Sequence, residues 1–320
     1  MSTTNQLLIT GCYRSGTEYI TQLLNNHPKL SATMYATNFM RYYYNRYNPI
    51  SERYIELIHD AHKTIHKRHG IFIDKNEILA YICNQKEITY AKIYDAIMSN
   101  TFLGENHYWA EKTQLVWREI PDFLKMFPTG KAINIIRDPR AVLSSFKKHT
   151  YAEKPLYLGA IFNCYDSMKH SQHFQEQYPN RFLQVQYEDI ILNPKQTLKN
   201  IFSFLNLSAG HDLLSEEGWK NTDGSPWKHN SAFIKDDQAY KKSRPLNEWK
   251  NHLTDLEVLF CELINGELMN KNNYTLTRMK EIQYLSHPTI ERYLELWCDG
   301  KGIEEFPTDP LKEENWSENR

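Results

Sequence analysis

Two glycines with four residues between them, Gly11 and Gly16, follow the apolar run Leu7-Leu8-Ile9 in the stretch TGCYRSGTEYI, residues 10–20. A glycine-rich turn between a strand and a helix converges backbone N–H groups on an anion, and the partial positive charge of the helix N-terminus assists. The spacing is that of the ATP-gripping loop G-x-x-x-x-G-K-[ST], but Thr17 stands at the lysine position and Glu18 at the magnesium-binding hydroxyl position. The cation sits instead at Arg14, inside the loop, where a guanidinium makes forked hydrogen bonds to an oxyanion. Such a loop suits a shorter anion held without metal; a plain tight turn with a surface arginine is the bland alternative.

A loop of this kind needs a strand before it and a helix after it. Leu7 to Thr10 reads as the strand, and Gly16 to Asn25 as a helix whose apolar face is Ile20, Leu23 and Leu24, stopped by Pro28. A second unit begins at KAINIIRDPRAVLSSF: Ala132 to Ile136 is the apolar run of a strand buried on both faces, Pro139 opens a helix, and Val142, Leu143 and Phe146 face inward. In a third unit Leu183, Val185 and Tyr187 alternate as a strand, and Leu198, Ile201, Phe202 and Leu205 follow a helical period. Alternation of this kind from Leu7 to about Leu205 predicts an α/β fold, a central parallel sheet flanked by helices. Residues 39–100 read as mainly helical, an insertion capping the carboxyl edge of the sheet, where open α/β sheets bind ligands. Farther on, Thr254 and Glu257 form a capping box for a helix expected to bury Leu256, Leu259, Phe260 and Leu263.

The 320 residues carry 38 Lys and Arg against 39 Asp and Glu, so no global basic field for nucleic acid exists and any anion site is local. Five scattered cysteines without a C-x-x-C pair fit a reducing compartment. No apolar stretch approaches the roughly 18 residues of a membrane span, and the polar start MSTTNQ lacks the regions of a signal peptide, so a cytoplasmic protein is expected.

Two segments together carry a family resemblance. YRSGTEYITQLL resembles the 5'-phosphosulfate loop of sulfotransferases, and IIRDPRAVLSSF resembles their 3'-phosphate motif, an arginine followed eight positions later by a serine, here Arg137 and Ser145. The resemblance implies a fold like that of P-loop nucleotide kinases and 3'-phosphoadenosine 5'-phosphosulfate as donor, with Arg14, Ser15, Gly16 and Thr17 at its 5' end and no metal. An arginine at a strand end and a serine two turns into the next helix suit one phosphate monoester. QYEDIILNPKQTLKNIFSFLNL is similar to a family segment that implies Tyr187 beside the adenosine. SRPLNEWKNHLT resembles the segment whose cation closes over the 3'-phosphate, here Arg244, although Pro245-Leu246 replaces the usual Lys-Gly. The resemblance spans residues 7 to about 264, which defines a domain over 1–264 and a C-terminal extension, 265–320, with no counterpart.

Sulfuryl transfer, by analogy with phosphoryl transfer, rests on positioning and charge stabilisation, which the resemblance assigns to Arg14. Removing the acceptor proton needs a base. YWAEKTQLVW resembles the family's central segment, in which a glutamate before the lysine or a histidine two after it serves. Here the residues are Glu111, Lys112 and Gln114, and glutamine accepts no proton at neutral pH. Glu111 is therefore the expected base and Lys112 the partner of the sulfuryl oxygens, with His107 in reserve; a solvated Glu-Lys pair is the bland reading. The acceptor is expected to be the hydroxyl or amine of a small molecule or sugar. The rivals are an ATP-dependent kinase using Asp138 for its metal and a noncatalytic nucleotide-binding module. His59, His62, His66 and His69 share a helix face without the glutamate of a zinc motif, and the tyrosine-rich run 35–49 suits either an acceptor pocket or helix packing.

Overall fold

The apolar runs build five strands: β1 (Asn5–Gly11), β2 (Leu30–Met34), β3 (Tyr108–Lys112), β4 (Lys131–Ile136) and β5 (Phe182–Gln186). The structure is a computed structural model describing residues 5–104, 107–149, 155–208, 213–215, 219 and 246–278. The strands lie in the order β2-β3-β1-β4-β5, every neighbouring pair parallel. Parallel neighbours need long crossovers. These are helical: α1 (Thr17–Asn25), α2 (Phe39–Tyr42), α3 (Ile50–His69), α4 (Lys75–Cys83), α5 (Tyr90–Met98), α6 (Ile120–Met126), α7 (Pro139–His149), α8 (Gly159–Gln177), α9 (Tyr187–Leu192), α10 (Pro194–Phe204) and α11 (Asp255–Lys271). The expected sheet flanked by helices is therefore present.

The sheet separates two apolar cores. Leu8, Trp109 and Ala132 pack on one face with α5, α6 and α8, while Leu7, Ile9, Ala110, Ile133 and Ile135 pack on the other with α1 and α10. Both faces of β1 and β4 are thus dry, which is why their sequences are nearly continuous apolar runs, broken in β4 by the buried Asn134, which donates to the hydroxyls of Ser167 and Ser171. The strand order reverses around β1, so the carboxyl ends of β3, β1 and β4 form the switch point where such sheets take ligands. Register alone sets Lys112 beside Ile9 and Ile135 beside Gly11.

Helices α2 to α5 occupy the inserted segment. Phe39 stacks on Tyr94 with ring centroids 4.2 Å apart, and Tyr43, buried, shares a 2.6 Å hydrogen bond with Thr64. Tyr42 and Tyr43 are core residues, so much of the tyrosine-rich run packs the cap. On α3 the rings of His62 and His66 lie parallel, 6.4 Å apart, with Phe72 against both. Among the described residues no group of three His, Cys, Asp or Glu is arranged for a metal. None of their helices is long and apolar enough to cross a membrane.

α11 corrects one reading. Its capping box forms, with Glu257 N–H donating to Thr254 Oγ1, and Leu259, Phe260 and Leu263 pack half-buried against the core as expected, but Leu256 is 73% exposed and the fully buried positions are Val258, Cys261, Glu262, Ile264, Asn265 and Leu268. The reason is electrostatic: Glu262 must point inward to meet the buried Arg140, 2.7 Å away. The boundary expected at 264 falls inside this helix.

Glu119 lies partly buried before α6, with Oε2 enclosed and without a hydrogen-bond partner among the described residues. Burial raises its carboxyl to about 6. A raised carboxyl favours folding while protonated, so stability falls as pH rises from about 4.5 through about 6, by roughly 2 kcal/mol. Glu119→Gln is expected to flatten that fall and to gain about 1–2 kcal/mol at pH 7. Urea melts at pH 4.5 and pH 7 measure it; an unchanged pH dependence contradicts it.

Candidate active site

The turn from β1 to α1 is shaped by close approach. A side chain at Gly11 would meet the Ile135 carbonyl oxygen at 2.5 Å, and one at Gly16, whose φ is 90°, would meet the Tyr187 ring at 2.2 Å. Glycine alone fits both places. Ser15 closes the turn, its hydroxyl donating to the Cys12 carbonyl at 2.7 Å, and Thr17 Oγ1 accepts from Gln114 Nε2 at 3.1 Å. These contacts hold the loop backbone around the start of α1, where N–H groups and the helix dipole favour an anion.

The second motif meets this loop directly. Arg137, just past β4, donates from Nη1 to the Arg14 carbonyl at 2.8 Å, and its guanidinium lies 4.3 Å from the Tyr187 ring centroid. Arg14 donates from Nε to Ser145 Oγ on α7, also at 2.8 Å. Residues 131 positions apart in sequence therefore share one corner. Arg137 Nε is buried with no hydrogen-bond partner among the described residues, an orphan donor that a phosphate oxygen would satisfy.

A layer of buried charge supports this corner from behind. Glu188 accepts from Asp138 N–H at 3.0 Å and from the Tyr274 hydroxyl at 2.9 Å. Asp138 is occupied by Arg140, which donates to both of its oxygens from Nε and Nη2 at 3.0 and 2.7 Å. A metal-binding role for Asp138 would have to break that bidentate pair.

Lys112 ends β3 on the same side as the loop. It is fully buried, its ammonium 3.3 Å from the Tyr35 ring centroid and 3.5 Å from Glu18 Oε1. Burial pulls its pKa down to about 8, while Glu18 works in the opposite direction. The Tyr35 hydroxyl has one proton to give and stands within hydrogen-bond reach of two acceptors, Glu18 Oε1 at 3.0 Å and Gln114 Oε1. From the cap, Arg68 Nη1 donates to the Tyr35 carbonyl at 3.1 Å and Arg41 Nη1 to the Tyr13 hydroxyl at 2.8 Å.

Glu111 lies elsewhere. Consecutive strand residues face opposite sides of a sheet, so Glu111 shares the face of Trp109 while Lys112 shares that of Ala110. Its carboxylate accepts from the N–H groups of Thr37, Asn38 and Phe39 at 2.5, 2.7 and 3.3 Å, from Thr37 Oγ1, and from the Tyr94 hydroxyl at 2.5 Å. It caps the start of α2 and is 0% exposed. The pleat thus sends Glu111 and Lys112 to opposite faces of the sheet, whereas the sequence reading expected both at one reacting centre. His107, the reserve, precedes β3 at the amino end of the sheet, where its carbonyl accepts from Asn5 N–H. Arg244 lies outside the described residues. Glu18 is the member of this cluster to which sequence reasoning gave no catalytic role, and Tyr35 entered only as the first residue of the tyrosine-rich run 35–49. For Glu18 a signal existed, a carboxylate in the first turn of the loop helix, read only as a lost metal ligand.

A family model described as the sulfotransferase family matches residues 6–211. The sulfotransferase domain from the curacin biosynthetic pathway aligns with a TM-score of 0.55 at 19% identity, over 86% of this chain and 99% of that one. The sulfotransferase domain of the olefin synthase of Synechococcus PCC 7002 aligns with a TM-score of 0.51 at 18% identity, over 86% and 96%. None of the curated proteins matches the sequence significantly.

Proposed function

Because this chain belongs to the sulfotransferase family, we propose that it moves a sulfuryl group from 3'-phosphoadenosine 5'-phosphosulfate to a hydroxyl or amine of a small molecule or sugar, without a metal. The observation that supports the donor most is the shared corner of the two anion motifs, where Arg137 bonds the Arg14 carbonyl and Arg14 bonds Ser145. One nucleotide carrying phosphate groups at both ends matches that pairing.

The residues divide by position. The loop N–H groups of Gly16 and Thr17, with Arg14 and Ser15, bind the 5' end, and Tyr187, whose ring packs into the space that Gly16 leaves, lies in this reading beside the nucleoside. Arg137, through its orphan Nε, and Ser145 hold the 3'-phosphate, which is nearly doubly charged. Arg244 is the proposed lid cation. The donor supplies an S–O bond whose cleavage places negative charge on the 5'-phosphate. Arg14, half-buried in the loop, and Lys112, fully buried at the end of β3, are the cations proposed to stabilise that charge. Glu111 holds the start of α2 through the N–H groups of Thr37, Asn38 and Phe39.

Lys112 must be protonated for this task. Its pKa of about 8 means that the charge is present below that pH and lost above it, so transfer is expected to decline as pH rises through or just above 8. Lys112→Arg should move that limb beyond pH 10, because guanidinium stays charged. Lys112→Met should lower kcat by roughly 10²–10³-fold, the usual effect of deleting one charge-stabilising donor. A pH–rate profile of the three proteins decides; an alkaline limb unchanged in Lys112→Arg removes the assigned role.

The overall reading is tested by incubating the protein with the phosphosulfate donor and a panel of hydroxyl and amine acceptors in EDTA, following release of the 3',5'-bisphosphate. Release in chelator is the expected result. Turnover only with ATP and magnesium would establish the kinase instead, and nucleotide binding without turnover would establish a noncatalytic module.

A further inference from the structure

Attack on sulfur requires the acceptor to lose its proton, and the cluster around the loop contains few groups able to take it. Gln114 has no basic site at neutral pH, and His107 is at the far edge of the sheet. Glu111 has both oxygens saturated by donors of α2 and α5. Glu188 is held behind the corner by Asp138 and Tyr274.

Glu18 differs from all of these. It follows Thr17 directly, so it stands in the first turn of the helix whose N-terminus receives the anion. Its side chain keeps 19% of its surface open, against 0% for Lys112 beside it. Among the described residues the groups seen to contact its carboxylate are the Lys112 ammonium of β3, at 3.5 Å, and the Tyr35 hydroxyl after β2, at 3.0 Å; Arg68 of α3 acts through Lys112 and Tyr35. Both contacts fall on Oε1, so neither occupies Oε2.

We propose that Glu18 is the general base of the transfer, aimed by Tyr35 and Lys112, and this assignment rests on the sulfuryl-transfer reading above. The acceptor O–H or N–H proton passes to the Glu18 carboxylate as the acceptor atom bonds to sulfur. The S–O bond to the 5'-phosphate breaks, and its electron pair remains on the phosphate oxygen. No oxidant or reductant is involved. The charge balance favours the pairing: once Glu18 is neutral it no longer offsets Lys112, whose full positive charge then faces the bisphosphate that has just gained a negative one. Carboxylate and ammonium thus act in turn on one event.

The test is single-turnover release of bisphosphate from the phosphosulfate donor, with simple phenols and alkyl alcohols as acceptors and water as the limiting one. Glu18→Gln is expected to lower the rate roughly 10²–10⁴-fold, with bisphosphate affinity within threefold of the parent. In Glu18→Ala, added formate is expected to restore part of the rate, since a small carboxylate can enter the vacated space. A rate within threefold of the parent in Glu18→Gln overturns the assignment. So does a loss that formate does not relieve and that comes with an alkaline limb shifted to lower pH, because Glu18 would then act only by holding the Lys112 proton. A parallel loss of bisphosphate affinity makes Glu18 a structural residue and also overturns it. A parent protein that binds bisphosphate but does not accelerate transfer even to water contradicts the sulfuryl-transfer reading itself, and with it this one.

Discussion

Arg137→Ala is expected to weaken binding of adenosine 3',5'-bisphosphate by two orders of magnitude or more. Hydrogen bonds to charged groups contribute about 1.5–3 kcal/mol each, and a guanidinium offers two to a phosphate, so about 3–6 kcal/mol is at stake. The side chain also supports the loop through the Arg14 carbonyl, and that part of the loss would fall on any ligand of the loop. The discriminating quantity is therefore a difference: adenosine 5'-phosphosulfate, which lacks the 3' group, should lose far less affinity than the bisphosphate. Calorimetry with both ligands measures it. Equal losses would make Arg137 a scaffold for the loop and remove its contact with the 3'-phosphate.

Glu262→Ala is expected to destabilise the fold by about 3–5 kcal/mol, the range for removing one partner of a buried ion pair. Glu262 is 0% exposed. It accepts from Arg140 Nη1 at 2.7 Å, from the Thr277 N–H and hydroxyl at 2.9 and 2.8 Å, and from Arg278 N–H at 2.7 Å. Its removal leaves those donors without that acceptor and leaves Asp138 to balance the buried Arg140, which also stacks on Trp249. The exposed pair Lys271–Glu267, 2.9 Å apart, serves as the control. Its disruption should cost no more than about 1 kcal/mol. Urea denaturation of both variants provides the comparison, and a Glu262→Ala cost as small as the control's would show that this cluster does not hold α11 to the sheet. Because Arg140 lies three residues after Arg137, the variant should also weaken bisphosphate binding, by less than Arg137→Ala does.

The sheet was readable from sequence because β1 and β4 are buried on both faces, and a strand in that position reads as a nearly unbroken apolar run, the one polar residue amid the apolar run of β4, Asn134, being satisfied by Ser167 and Ser171. The corner of Arg14, Arg137 and Ser145 was readable for another reason: a loop that grips phosphate needs glycine at points of close approach, and the arginine-to-serine spacing survives as a linear signature. Glu111 shows where linear reading fails. Adjacent residues on a strand cannot serve the same side of a sheet, and the partners that saturate Glu111 come from Thr37 to Phe39 and Tyr94, whose approach depends on how the cap packs. Glu18 and Tyr35 meet across 17 positions through the same packing. α11 shows a milder case: Leu259, Phe260 and Leu263 pack against the core as their pattern suggested, while the Arg140–Glu262 pair centres the burial on Glu262 and leaves Leu256 in solvent.

In the proposed function one doubly phosphorylated adenosine spans the loop and the Arg137/Ser145 site with no divalent cation. Calorimetric titration of adenosine 3',5'-bisphosphate in EDTA, repeated with magnesium, tests it most directly. Saturable one-to-one binding of equal strength in both buffers is expected. Absence of binding in EDTA, or affinity that appears only when magnesium is added, would contradict it.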